Sequence, residues 1–355
     1  MNHLFQGTSF YQNKTLAMRR ISIFLFLIVL ASCKSSHVDV ERVSLTPQIL
    51  HEGLYTMLPG AMLLCDNYLV WQDGFATDTF MHVFDLRTNQ EVGTMGKIGR
   101  GAEEFVTPDI IGSFNKNIVV TDGNIFKCAF YSIDSLLAHK NPYIAQPDMD
   151  IRLFFSTVVD SIKLIALRFD TEKPFQLRTY NHEVLSEFGK YPIPDSITNR
   201  FEILQGPVLY NSQRRLLLYS ASFFPYVALY KEKSDNSYEL LKETDYPIPY
   251  SVKEKRARIL DENSNGFPSP AFTKDYIIFI KQDEDNPLPK QAPTSGIRDL
   301  SGVPHTVYIF DYNLNLQKIA DLNMPVLRIT ANPENNTLYI IGLKDSYCIA
   351  KCEIE

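Results

Sequence analysis

Few residues in this chain are spaced for bond-breaking chemistry. Glu103-Glu104 reads as loop structure or solvent-facing charge. Asp283-Glu284-Asp285 only loosely resembles a hard-cation site, because calcium needs oxygen ligands at a defined alternate spacing. The histidines past the N-terminal leader (His37, His51, His82, His139, His182 and His305) are scattered, and His82 sits mid-strand, where packing or solvation suits it better than catalysis. Neither a GxSxG elbow nor an HExxH pair occurs. No catalytic residue, metal site or cofactor is therefore assigned. The glycine-rich run from Gly96 to Phe105 invites a phosphate reading, but Gly101 is followed by Ala102-Glu103 where a P-loop needs Lys-Ser/Thr. A dinucleotide fingerprint joins a strand to a helix, and this run leads towards another strand. Its glycines at 96, 99 and 101 read as positive-φ positions in a tight passage, with Phe105 tucked into the core.

Binding chemistry has more candidates. The segment from Gln282 to His305 is polar and carries Pro287, Pro289, Pro293 and Pro304. Structureless loops longer than about 15 residues are usually functional or disordered. Lys290 and Arg298 lie in that segment, Phe223-Phe224-Pro225 forms a second aromatic loop, and Trp71 is the sole tryptophan. The candidate binding set is Trp71, Arg100, Glu103, Arg168, Phe224, Lys290 and Arg298.

The elements that must position these residues follow an export leader. Met18-Arg19-Arg20 is a cationic head, with Met18 an alternative start. Ile21 to Ala31 is apolar except for Ser22, about half of the roughly 20 residues a membrane-spanning helix needs. Leu30-Ala31-Ser32-Cys33 looks like a bacterial lipobox, whose small residues admit a peptidase before a cysteine that carries diacylglycerol. We expect residues 1–32 to be a signal peptide, Cys33 to be lipidated, 33–37 to be a tether and 38–355 to be the folded domain. Several acyl chains anchor a protein stably. No acidic cluster follows Cys33, which favours the periplasmic side of an outer membrane over the surface.

Charge narrows the partners. Removing Lys14, Arg19 and Arg20 with the leader takes 35 basic residues to 32, against 41 acidic ones, for a charge of −9. Nucleic acid binding needs a cationic footprint, so it is excluded. Cys65, Cys128, Cys348 and Cys352 show no CxxC spacing and read as buried and free, although their pairing cannot be derived from sequence.

A repeat organises the domain. Aromatic-bearing strands recur at Met81–Asp85, Lys127–Ser132, Gln176–Asn181, Tyr226–Lys231, Thr306–Asp311 and Tyr347–Lys351. Taking Phe84, Tyr131, Tyr180, Tyr230, Phe310 and Ala350 as equivalents, the steps are 47, 49, 50, 80 and 40, with the long step ascribed to the 282–305 insertion. Each strand has a β-branched or aromatic partner upstream, and most have a more polar third strand downstream. Short antiparallel strands repeated six times at this period predict an all-β, six-bladed β-propeller. The last repeat ends soon after its third strand, so Val38 to Leu50 is expected to supply the outer strand and close the ring.

Phe84-Asp85-Leu86, Glu91-Val92-Gly93 and the Gly96–Phe105 run together resemble the opening blade of the TolB-like six-bladed propeller lipoproteins of Bacteroidetes, and are similar to NHL-type repeats. Ala102 stands where that family usually has proline. The resemblance implies fold and compartment, but no reaction. The sequence therefore leads us to expect an outer-membrane-anchored monomer, held through lipid on Cys33, whose loop face binds an envelope protein, peptide or glycan. The alternative is an envelope enzyme, a metal-assisted lactonase or a glycan lyase, at the channel mouth.

Overall fold

Lys163–Leu167 pairs antiparallel with Phe175–Thr179, and Asn117–Asp122 with Lys127–Ser132, so the β-branched and aromatic runs form strands where the repeat places them. The computed structural model describes residues 40–223, 225–234, 236–244, 250–260, 266–283, 300 and 302–355. The leader, Cys33, the tether, Phe224, Lys290 and Arg298 lie outside the described residues.

Six sheets form the six blades of a β-propeller, each led by an inner strand: Pro59–Cys65, Asp109–Phe114, Ser156–Val158, Val208–Asn211, Pro270–Phe272 and Val326–Ala331. Residues from all six inner strands line one central cavity of about 710 Å³. Each blade is apolar on both faces, so it is stable only against its neighbours. Six hydrophobic clusters accordingly fill the six seams. Phe80, Phe105 and Tyr131 join blades one and two, and Phe175, Phe188, Tyr219 and Tyr230 join three and four. Blades five and six meet through aliphatic residues such as Ile278, Ile309 and Ile340. Complete burial of one such side chain contributes roughly 1.5–3 kcal/mol.

Closure differs in register from the expectation. The outer strand of blade six is Gln48–Leu54, antiparallel to Tyr347–Glu353. Glu41–Ser44 instead runs parallel to Leu316–Asp321 as a fifth strand on blade five. Val43, Leu45 and Ile49 all pack on the cluster between blades five and six, which fixes the segment astride that seam. The long repeat step also has two sources. Besides the insertion, the crossing from blade four to blade five carries its own hairpin, Tyr250–Lys253 with Arg256–Ile259. Cys65, Cys128, Cys348 and Cys352 are buried and unpaired, and burial pushes the Cys128 and Cys352 thiols up to about 12.

Candidate binding face and channel mouth

Strands within a blade alternate in direction, so second-to-third strand loops and blade-to-blade crossings emerge at one end of the ring. Backbone hydrogen bonds tie the two kinds of loop together there. Ile98 N–H donates to Asp78 O at 2.7 Å, Leu167 N–H to Phe155 O at 2.8 Å, and Phe267 N–H to Ala221 O at 3.0 Å. We call this end the loop face.

The first crossing explains the glycine-rich run. Gly96 has φ +78° and Gly99 has φ +156°, and a Cβ on Gly99 would lie 2.0 Å from Glu104 Oε2. Gly101 does not need positive φ. Its N–H donates to Glu104 Oε2 at 2.7 Å. Phe105 is fully buried in the seam, and the Lys127 ammonium lies 4.8 Å from its ring centroid. Lys127 Nζ donates to the carbonyls of Ala102 at 2.5 Å and Glu104 at 2.7 Å, and burial holds its pKa below the usual lysine range. Asp122 secures the far end of the crossing by accepting from Val106 N–H at 2.8 Å and Thr107 N–H at 2.7 Å. Burial alone would raise its pKa, but backbone donors at Thr107, Asn124 and Val106 outweigh that and hold it low. This crossing is a built scaffold with no phosphate cradle.

Further round the face the surface becomes aromatic. Phe154 and Phe155 precede the inner strand of blade three, Phe169 sits in that blade's second-to-third loop, and Phe201 lies on a short helix, Arg200–Leu204. Phe201 meets Phe154 edge-on at 5.8 Å and Phe169 at 5.3 Å. Five aromatic side chains are exposed among the described residues: Tyr55, Phe75, Phe154, Phe201 and Phe223. All five belong to loop-face connections.

The channel beneath has a wall of mixed polar and apolar residues with few charges. Among the described lining residues Asp109 is the sole carboxylate and Arg328 the sole cation. Arg328 Nε donates to Gly60 O at 2.8 Å, tying blade six to blade one. Asp109 has no ion pair among the described residues, and desolvation raises its pKa to about 7. No group of three or more His, Cys, Asp or Glu side chains suited to a metal ion occurs among the described residues.

The sequence-derived candidates are dispersed. Trp71 does not reach the loop face: it is 1% exposed, packs in the seam between blades six and one, and stacks on His82 at 4.1 Å. A bulky aromatic on a central strand is drawn into the seam. Arg100 and Glu103 share the first crossing and are exposed, and Glu103 accepts from Asn141 Nδ2 at 3.3 Å. Arg168 lies on the loop face beside Phe169 but is held by Asp170, with Nη2 2.8 Å from Oδ2. The ends of the 282–305 insertion are clamped together. His305 bridges Asp283 at 3.2 Å and Asp321 at 3.1 Å, while Gln282 Nε2 donates to Gly302 O at 3.0 Å. Sequence reasoning missed Asp109, Phe154 and Phe201. Their available signals are a carboxylate ahead of Ile110-Ile111 and aromatic residues in the segments that join one repeat to the next.

No family model and no curated protein matches the chain. Among solved structures it is similar to a member of the DUF4221 family from Bacteroides vulgatus, with a TM-score of 0.56 and 12% identity over 87% of this chain and 96% of that one. It is also similar to a protein from Bacteroides fragilis described as exported, with a TM-score of 0.54 and 10% identity over 89% and 99%. A third likeness is to U3-55K, with a TM-score of 0.50 and 8% identity over 86% and 98%. At these identities the likeness is one of fold. By that fold, the chain is a six-bladed β-propeller, an architecture compatible with a binding role.

Proposed function

We propose that this chain is an exported, monomeric propeller of the TolB-like lipoprotein kind, anchored through lipid on Cys33, whose loop face binds a protein, peptide or glycan of the cell envelope without catalysis. The observation that carries this reading is the placement of all five exposed aromatic side chains on that face. Aromatic residues supply large contact area at low entropic cost and dominate interface hot spots. The likeness to Bacteroides propellers, one described as exported, supports the compartment. A lactonase or lyase would need converging carboxylates, and Asp109 is the sole one lining the channel among the described residues.

The test is crosslinking and capture of the lipidated protein from its native envelope. Replacing Phe75, Phe201 and Phe223 by serine should abolish capture of its partner, whereas Ile162→Ser on the opposite face should not. Deleting 286–299 leaves the Asp283–His305 clamp in place and asks whether the insertion joins the contact. Undiminished capture by the triple variant would overturn the reading. Replacing Cys33 by serine should release the protein from the membrane fraction, and a lipidated product from that variant would refute the anchor.

A further inference from the structure

We infer that the seam between blades two and three, where it opens into the channel mouth, is a binding site for a primary ammonium group. Asp109, Ser156 and Thr121 are its acceptors and Phe154 its apolar wall. The site goes beyond the partner-binding reading and stands whether or not that reading holds.

Strand register brings the three acceptors together. Side chains alternate between the two faces of a blade. Asp109 pairs with Thr121, and Ile110 with Val120. Ile110 and Val120 face blade one, while Val119 and Cys128 pack towards blade three. Asp109 and Thr121 therefore turn towards blade three. From the other side, Ser156 pairs with Ala166 and Val158 with Leu164. Ala166, Val158 and Leu164 pack against blade two, so Ser156 turns the same way. The three polar side chains thus look into one seam, above an apolar floor that includes Val119 and Val158.

Two members of the trio keep unused hydrogen-bonding capacity. Ser156 is 8% exposed and Thr121 1% exposed, and neither Ser156 Oγ nor Thr121 Oγ1 has a hydrogen-bond partner among the described residues. Ser156 and Asp109 both line the channel cavity, so the site is reached through the mouth. A buried hydroxyl without a partner costs roughly 1–3 kcal/mol, and a carboxylate in the same seam adds to that cost when ionised. The ring of Phe154 lies over the second-to-third loop of blade two, its Cε1 3.3 Å from where a Cβ on Gly123 would stand. That loop begins just after the strand bearing Thr121, which puts the ring at the same end of the seam as the polar trio.

An ammonium matches this set of groups. It offers three N–H donors and no acceptor, against one carboxylate and two hydroxyl oxygens. Its charge is also attracted to an aromatic face. A neutral hydroxyl would satisfy fewer acceptors, and a carboxylate or phosphate would meet Asp109 with like charge. The guanidinium of Arg178 is already held in blade three by Asp150 at 2.6 Å, so it does not serve the site. A cavity of about 710 Å³ is within the size range of small-molecule sites and admits either a free polyamine or a lysine side chain from a partner protein.

Calorimetric titration of the full chain with spermidine, with Nα-acetyl-lysine methylamide and with its Nε-acetylated analogue tests the site at pH 8.0 and pH 5.5. At pH 8.0 at least one amine should bind and the neutral analogue should not. A tighter spermidine arm marks a free polyamine, and a tighter lysine arm a protein side chain. Because Asp109 becomes protonated below about pH 7, binding should weaken at least tenfold at pH 5.5. Asp109→Asn should weaken binding at least tenfold at pH 8.0 and remove the pH dependence. Ser156→Ala should weaken it severalfold, and serves as the test should Asp109→Asn fail to fold. No heat from either amine, equal binding by the neutral analogue, or full affinity in the variants would overturn the assignment.

Discussion

On the face opposite the loops, connections are as short as two residues: Asp66-Asn67 and Asn115-Lys116 each join an inner strand to the next. Asp66, Asn89, Asn115, His182 and Asn236 adopt positive φ in these turns, a conformation that asparagine and aspartate tolerate. The loop face has connections such as the crossing from 189 to 207 with its helix, the crossing from 244 to 269 with its hairpin, and the 282–305 insertion. It alone exposes aromatic rings among the described residues. The contrast separates two tasks. Apart from the blade-two connection with its helix Ile133–Leu137, one face holds strands in register with little chain, and the other presents aromatic surface that folding of this chain alone does not require.

Four measurements can break or sharpen that contrast. The largest effect should come from Phe105→Ala, because part of the loop face is itself core. Losing this fully buried ring should cost about 3–5 kcal/mol in urea denaturation. Asp122→Ala strips the acceptor from Val106 and Thr107 and should cost about 3 kcal/mol. Because its carboxyl is held low, the stabilisation from Asp122 is present at neutral pH and fades as acid titrates the native carboxylate. Thermal midpoints across pH 2 to 6 should therefore fall in the wild type more steeply than in the variant.

Asp109→Asn should have the opposite sign. Its native pKa is raised, so the wild type loses stability as pH climbs from about 4 through about 7. The variant should match the wild type near pH 4 and exceed it by about 2 kcal/mol at pH 8, less than the full shift because channel water screens the charge. Equal stability at both pH values would show that Asp109 is fully solvated. Smallest are the exposed rings: Phe75→Ser and Phe223→Ser should each change stability by less than about 0.5 kcal/mol while lowering partner capture. Ile162→Ser on the opposite face should change neither. Comparable loss of capture from Ile162→Ser would remove any functional meaning from the difference between faces.

Legibility in the sequence followed burial. The second and third strands of each blade are buried on both sides, and their apolar runs are readable to within about two residues, Lys163–Leu167 and Lys127–Ser132 to the residue. The inner strands are three to seven residues long and mix polar with apolar side chains because they edge a channel of mixed character. Ser156–Val158 has no periodicity to detect, so the seam holding Asp109 and Ser156 was invisible. Trp71 does not end its strand: Tyr68–Asp73 runs two residues further, and the ring stays in the seam. The His305 clamp joins residues 22 and 16 positions away, a spacing that only the blade register brings together.

The closing strand has a consequence for how the ring forms. Gly53 N–H donates to Ser346 Oγ, a partner 293 residues later. Gln48–Leu54 precedes its partner Tyr347–Glu353 by nearly the whole propeller, so the outer strand of blade six has no place to pair until the other blades have been passed. Blades one to four are each complete within one stretch of sequence, but the ring cannot shut until Tyr347–Glu353 joins Gln48–Leu54. A chain that lacks Tyr347–Glu353 keeps two raw β-edges in place of one closed circle. The fold therefore couples two distant segments: neither seals an edge without the other, and an unsealed edge invites association with another chain.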